Sequence, residues 1–155
     1  MTKQERYYVE ALLKNYRPLM AKIEIEIYRS YPNYALKSLS IVLSGSGNTQ
    51  GSTTEIMALE NLSLPEPYES MGQVIMMVRG SLMHLNPVDR KIIKMRYFDK
   101  VSFQRISLEL DMCQNTVIKK VYEQIFPLLI EVGILKAWEY FAREGGYSGS
   151  RKKQV

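Results

Sequence analysis

Apolar residues in the segment from 86 to 125 recur at steps of three and four, in three short runs separated by polar turns. This spacing predicts three short amphipathic helices. Asn86 and Pro87 supply a capping residue and a favoured first helical residue for the first of them. Ser102 is placed to cap the second helix. The last two helices are expected to meet across a tight turn.

The third helix is expected to begin near Cys113 or Gln114. Its inward row is Val117, Val121 and Ile125. The outward face carries amide and amino groups and one aliphatic side chain. Asn and Gln pair bidentately with adenine, Lys contacts guanine or phosphate, and an aliphatic group contacts the thymine methyl. The pattern therefore predicts base contacts in a DNA major groove. The residues predicted to make them are Gln114, Asn115, Ile118 and Lys119.

A second set of residues is predicted to hold the DNA backbone. Thr116 lies near the positive end of the third helix, where a phosphate is favoured. The other members supply cationic groups or a hydroxyl. The predicted backbone-binding residues are Thr116, Lys120, Arg105, Arg96, Lys100 and Ser102. The alternative is an ordinary three-helix bundle whose polar face is only solvated.

The charge of the chain is concentrated in its second half. Residues 1–85 contain eight basic and eight acidic residues, whereas residues 86–155 contain thirteen basic and eight acidic residues. The whole net charge of +5 therefore lies in the part that carries the three-helix pattern. A basic excess that coincides with such a pattern favours nucleic-acid binding over a merely solvated surface.

Residues 85–121 resemble region 4 of sigma-70-type factors and the regulators that share this module. The residues that carry the resemblance are Leu85, Ile92-Ile93, Arg96-Tyr97-Phe98, Ser102, Ile106, Leu110 and Thr116-Val117. Two positions depart from the family pattern. Arg105 stands where an acidic residue would complete a reciprocal capping box. Cys113 stands where a better capping residue begins the third helix, so we expect a weakly held helix start.

The upstream sequence is similar to the N-terminal half of the RinA and ArpU type of phage late transcriptional regulators. The similarity rests on residues 31–34 (Tyr-Pro-Asn-Tyr), the Gly/Ser/Asn-rich stretch after them and residues 54–58. Together, the resemblances imply an all-α fold in which a helical N-terminal half joins a C-terminal sigma-70 region 4-like helix-turn-helix. They imply a sequence-specific DNA-binding regulator, namely a phage or prophage late-gene activator.

The partners that follow from this interpretation are double-stranded DNA and, as a further candidate, RNA polymerase. Paired half-sites are common for such proteins, so a homodimer through the N-terminal helices is also expected. Two other DNA-linked classes remain open, a phage small terminase subunit that forms rings and an alternative sigma factor. The neutral first half offers no promoter-melting region for the latter. From a different class, a helical adaptor that binds RNA polymerase or a sigma factor remains an alternative.

Four regions are predicted along the chain. They are a helical region over 1–43, a flexible loop with a short helix over 44–67, a central helix with the helix-turn-helix over 68–144, and a basic disordered tail over 145–155. The loop is rich in Gly and Ser, and Thr53 or Thr54 is expected to cap its short helix. The tail contains Arg151-Lys152-Lys153.

The first region has a helical period from Gln4 to Ser30. Pro18 falls inside it, which predicts a kink or two helices. Residues 22–28 also alternate between apolar and polar positions, as in a strand. The longer flanking period favours a helix.

Two apolar segments could serve either to pack the core or to bind a partner. In the helix over 68–85, a central packing role is favoured over a Met-lined partner groove. Its predicted inward residues are Met71, Val74, Ile75, Val78, Leu82 and Leu85. Trp138, Tyr140 and Phe141 either close the core or form a patch for a partner.

Little in the composition points to catalysis. His84 is the only histidine and Cys113 the only thiol, so no His/Cys metal set forms, and we expect neither an enzyme nor a cofactor. No apolar run is long enough to cross a membrane. A single cysteine excludes an internal disulfide and is consistent with a reducing cytoplasm.

Overall fold

The protein is described by a computed structural model over residues 1–30 and 64–143. These residues form six helices and no strand, which confirms the all-α class for the described part of the chain. We name the helices α1 (Lys3–Ser30), α2 (Tyr68–Leu82), α3 (Pro87–Ile93, continuing as a π-helical turn over Lys94–Phe98), α4 (Phe103–Glu109), α5 (Gln114–Lys119, a π-helical turn over Lys120–Ile125, then Phe126–Glu131) and α6 (Lys136–Arg143).

Helix α1 is continuous, so the two-helix and strand alternatives for this segment are wrong. Thr2 and Glu5 close a reciprocal capping box at its start: the Glu5 N–H donates to Thr2 Oγ1, and the Thr2 N–H donates to Glu5 Oε2. Pro18 lies within the helix on an exposed position. The residues that form the helical period lie on the core side of α1, because they are buried or half-buried: Tyr8, Leu12, Tyr16, Leu19, Ile23 and Ile27.

Helix α2 packs extensively against α1 and against α6. Its stripe of Met71, Val74, Ile75 and Val78 is buried. The packing role predicted for this helix is therefore confirmed. Trp138 on α6 stacks on Tyr8 of α1 and on Phe141, with ring centroids 4.2 and 5.0 Å apart. Of the two alternatives for the C-terminal aromatic residues, the structure therefore shows core closure for Trp138.

Helices α4 and α5 are joined by a tight turn that is closed by backbone hydrogen bonds. The Met112 N–H donates to the Ser107 carbonyl at 2.9 Å, and the Asp111 N–H to the Leu108 carbonyl at 3.4 Å. This is the Schellman pattern, which requires a left-handed residue after the helix. Asp111 adopts that conformation with φ 52°, and an aspartate tolerates it better than most non-glycine residues. The turn therefore sets the direction of α5 relative to α4.

One core joins α1 to the rest of the described chain. Val9, Leu12 and Leu13 of α1 belong to the same buried cluster as Val121 and Phe126 of α5. Because the cluster is continuous, α1 and α3–α5 are held in a common framework rather than linked only through the chain.

Several sequence predictions fall on residues 31–63 and 144–155, outside the described part. These are the Tyr-Pro-Asn-Tyr motif, the Gly/Ser-rich loop, the short helix capped by Thr53 or Thr54, and the basic tail. Over the described ranges, the structure contains no helix with the length and apolar character to cross a membrane.

Candidate nucleic-acid interface

The start of α5 has one buried and one exposed face. The predicted inward row is confirmed, because Val117, Val121 and Ile125 are all fully buried. The α-helix begins at Gln114, and Cys113 occupies the capping position without a side-chain hydrogen bond, as its sequence predicts. The packing of the buried row, rather than a cap, therefore holds this end of the helix.

Most of the residues predicted to contact bases lie on the exposed face. Gln114, Asn115 and Lys119 are exposed, and so is Thr116. Ile118 departs from the predicted outward position because it is half-buried and packs against the core. It precedes Val121 by three residues, so it lies at the border of the buried row.

Lys120 does not extend freely into solvent as predicted for a phosphate-binding residue. Its Nζ lies 3.3 Å from Asp89 Oδ1, and the two side chains are only 24% and 10% exposed. Asp89 Oδ1 has no hydrogen bond, so Lys120 supplies the compensating charge. The other oxygen, Oδ2, accepts from Asn86 Nδ2 at 3.0 Å, and the Asp89 N–H donates to Asn86 Oδ1 at 2.8 Å. Lys120 therefore ties α5 to the capped start of α3.

Arg96 is likewise engaged inside the protein, unlike the free cation that the sequence predicts. Its guanidinium carbon lies 4.0 Å from the centre of the Phe103 ring. Its Nη1 donates to the Val101 carbonyl at 3.4 Å. The side chain therefore links the end of α3 to the start of α4, where stacking on an aromatic face is favourable for a guanidinium.

The remaining predicted backbone-binding residues are accessible. Arg105 is 75% exposed and pairs with Glu109 at 3.7 Å, an exposed pair that solvent screens strongly. Lys100, just after the end of α3, is exposed, and its backbone has the left-handed conformation with φ 56°. Ser102 caps α4 as predicted, since its Oγ accepts from the Arg105 N–H at 3.2 Å. A hydroxyl that accepts in a cap still has its own proton to donate.

A polar cluster between α1, α3 and α5 contains residues that the sequence did not single out. Glu10 Oε1 accepts from the Tyr97 hydroxyl at 3.3 Å and from the Tyr122 hydroxyl at 3.1 Å. The Arg6 guanidinium carbon lies 3.6 Å from the centre of the Tyr122 ring. Burial raises the pKa of Tyr97 well above its usual range, and the neighbouring Tyr122 and Glu10 raise that pKa further.

This cluster has no local sequence signal. Glu10 lies 87 residues from Tyr97 and 112 residues from Tyr122 along the chain. No group of three or more His, Cys, Asp or Glu side chains suited to a metal ion occurs within residues 1–30 and 64–143.

Comparison with known proteins gives no relative. No protein-family model matches the chain, and neither a curated protein nor a solved structure matches it.

Proposed function

We propose that the protein is a sequence-specific DNA-binding transcriptional regulator. The start of α5 would enter the major groove, with Gln114, Asn115 and Lys119 at the base edges. The amides of Gln114 and Asn115 suit adenine, and the ammonium of Lys119 suits guanine. The half-buried Ile118 is not included among the base contacts.

The observation that carries the proposal is the division of α5 into two faces. Val117 and Val121 are fully buried, whereas Gln114, Asn115 and Lys119 are exposed on the same short stretch of helix. The helix is therefore held by its apolar side while its hydrogen-bonding groups remain available. A major-groove helix needs this combination, because base contacts specify sequence only when the helix is held in a fixed position.

The proposed backbone contacts come from residues around the start of α4 and α5. Lys100 and Arg105 supply exposed cations, and Ser102 and Thr116 supply hydroxyl groups. Lys120 and Arg96 are left out because their charges are engaged with Asp89 and Phe103. These contacts would set affinity and position without selecting sequence.

The finer assignment rests on the resemblance of the sequence to sigma-70 region 4 and to RinA and ArpU type regulators. On that basis, the proposed role is activation of late genes in a phage or prophage, with RNA polymerase as a candidate partner. The basic excess over residues 86–155 supports a nucleic-acid partner.

The test is selection of random duplex DNA by the purified protein at several salt concentrations. An enriched motif that is lost in Asn115→Ala and Lys119→Ala would support base contacts by α5. Lys22→Ala is the matched control, since it removes one exposed positive charge from α1. This position lies about 18 Å along the helix axis from Glu10, where α1 meets α5.

Other outcomes separate the alternatives. Strong, salt-sensitive binding without a motif would contradict sequence specificity and leave only backbone contacts. The absence of binding at low salt would favour the adaptor, and ring-shaped oligomers on DNA would favour a terminase-like protein.

A further inference from the structure

Helix α5 is anchored by polar contacts at two neighbouring positions. Lys120 pairs with Asp89 of α3, and the Tyr122 hydroxyl donates to Glu10 of α1. These two residues immediately flank the fully buried Val121. Their side chains therefore leave the helix on either side of its buried row. Two anchors placed in this way oppose rotation of α5 about its own axis. They add a directional restraint to the packing of the buried row, because hydrogen bonds and ion pairs depend on geometry and the hydrophobic effect does not.

Glu10 is the point at which α1 joins this arrangement. One of its carboxylate oxygens, Oε1, accepts from both Tyr97 and Tyr122, so it fixes α5 relative to the end of α3. Hydrogen bonds to a charged acceptor are stronger than those between neutral groups. Tyr97 is 4% exposed, which keeps water from competing for its hydroxyl. Arg6, one turn earlier on α1, covers the Tyr122 ring.

The same contacts continue into α4. The Tyr122 ring meets Phe103 edge to face, with centroids 6.3 Å apart, and Arg96 covers the Phe103 ring. Phe103 is the first residue of α4. A displacement of Tyr122 would therefore change the start of α4 together with the rotation of α5.

We propose that Glu10 is a positioning residue for DNA sequence recognition, through its hydrogen bonds to Tyr97 and Tyr122. It holds the rotation of α5 so that Gln114 and Asn115 face the groove. This inference rests on the function proposed above and extends it, because it makes the N-terminal helix part of the recognition unit although α1 supplies none of the proposed DNA contacts.

The first part of the test measures the orientation of α5 without DNA. The single native Cys113 is exposed at the start of α5 and accepts a spin label directly. A second label is placed at Lys22→Cys, which is exposed on α1. Double electron–electron resonance then gives the distribution of distances between the labels. We expect a single narrow distribution in the parent protein and a broader or shifted one in Glu10→Ala and Tyr122→Phe.

The second part measures the affinity ratio between the selected motif and a scrambled duplex, using unlabelled protein. We expect this ratio to fall roughly tenfold in Glu10→Ala, as for the loss of hydrogen bonds to a charged group. The affinity for the scrambled duplex should stay unchanged. Glu10→Gln, which keeps an acceptor oxygen, should retain part of the ratio. Tyr28→Phe, an exposed tyrosine near the end of α1, is the matched control and should change neither measurement.

The outcomes are distinct. Unchanged distances in Glu10→Ala and Tyr122→Phe overturn the proposal, and so do changed distances with an unchanged affinity ratio. An equal loss of affinity for both duplexes, with a lower melting temperature, indicates a structural role only and also overturns it. If Glu10→Ala does not fold, the same two measurements on Glu10→Gln and Tyr122→Phe decide whether the proposal holds. If the parent protein shows no sequence preference, the proposed function fails, and the distances alone decide whether Glu10 positions α5.

Discussion

Lys119 and Lys120 are neighbours on α5 but occupy opposite environments. Lys119 is exposed and has no ion pair with a described residue. Lys120 is 24% exposed and paired with the buried Asp89. The same division applies to the helix as a whole. Its first turns present amides to solvent, whereas in the next turn Lys120 and Tyr122 are tied to α3 and α1.

Two identical side chains on one helix therefore lie in different environments. A charge must be accessible to make the proposed DNA contact, whereas a buried charge must be compensated, as Lys120 compensates Asp89. The following predictions test whether the exposed part of α5 and its anchored part separate in this way.

The largest effect is expected on stability from Lys120→Ala. The change leaves Asp89 as an uncompensated buried carboxylate, which should lower the free energy of unfolding by about 3 kcal/mol. Lys119→Ala should change it by less than about 0.5 kcal/mol, as for an exposed side chain. Urea denaturation measures both. Equal losses in the two variants would contradict the division between these lysines.

The double variant Asp89→Asn/Lys120→Met sharpens this test. It removes both charges, and the introduced amide at position 89 still offers an oxygen that can accept from Asn86 Nδ2. If Lys120 is structural, this variant should recover a large part of the stability lost in Lys120→Met and keep its DNA affinity. Weaker DNA binding by the stable double variant would instead indicate that Lys120 contacts the DNA backbone.

The next effect concerns the exposed turn. Asn115→Ala should cost about 1–3 kcal/mol at one or two base pairs of the selected motif and leave the other positions unchanged. Arg105→Ala should weaken all sequences alike and reduce the salt dependence by about one counterion. Competition binding with single-base variants of the motif distinguishes the two patterns, and identical behaviour of both variants would argue against the groove assignment.

An intermediate effect is expected at alkaline pH in the anchored region. In the unfolded chain, the Tyr97 phenol ionises above about pH 10. In the folded protein it stays neutral at that pH, because burial raises its pKa. Its contribution to stability is therefore complete below about pH 10 and falls by up to about 1.4 kcal/mol per pH unit above it. Tyr97→Phe should lose this component of the pH dependence in urea unfolding between pH 8 and 11. Tyr28→Phe should keep it.

The smallest effects are expected at the two helix starts. Ser102→Ala should lower the free energy of unfolding by about 1 kcal/mol, since it removes the cap of α4. Cys113→Ser should raise it by about 0.5 kcal/mol, because the capping position of α5 has no side-chain hydrogen bond. Thermal unfolding resolves both changes. A destabilising Cys113→Ser would show that the thiol has a packing role.

Local patterns in the sequence predicted a large part of this architecture. Asn86 and Ser102 cap their helices as expected, and the inward row of α5 is buried. Helix α5 continues through Pro127 after a π-helical turn in which the Phe126 N–H donates to the Val121 carbonyl. A wider turn before a proline accommodates the missing N–H, and nothing in residue spacing alone signals it.

Residue spacing is enough to predict the helical segments, their caps and the buried side of each, because these depend on residues three or four positions apart. Which polar side chains remain available depends instead on how the helices pack against one another. The pairs Asp89–Lys120 and Arg96–Phe103 and the Glu10 contacts join helices that are separate along the chain. A charged residue has the same letter whether it is solvated or compensated, and only the packing of another helix beside it distinguishes the two.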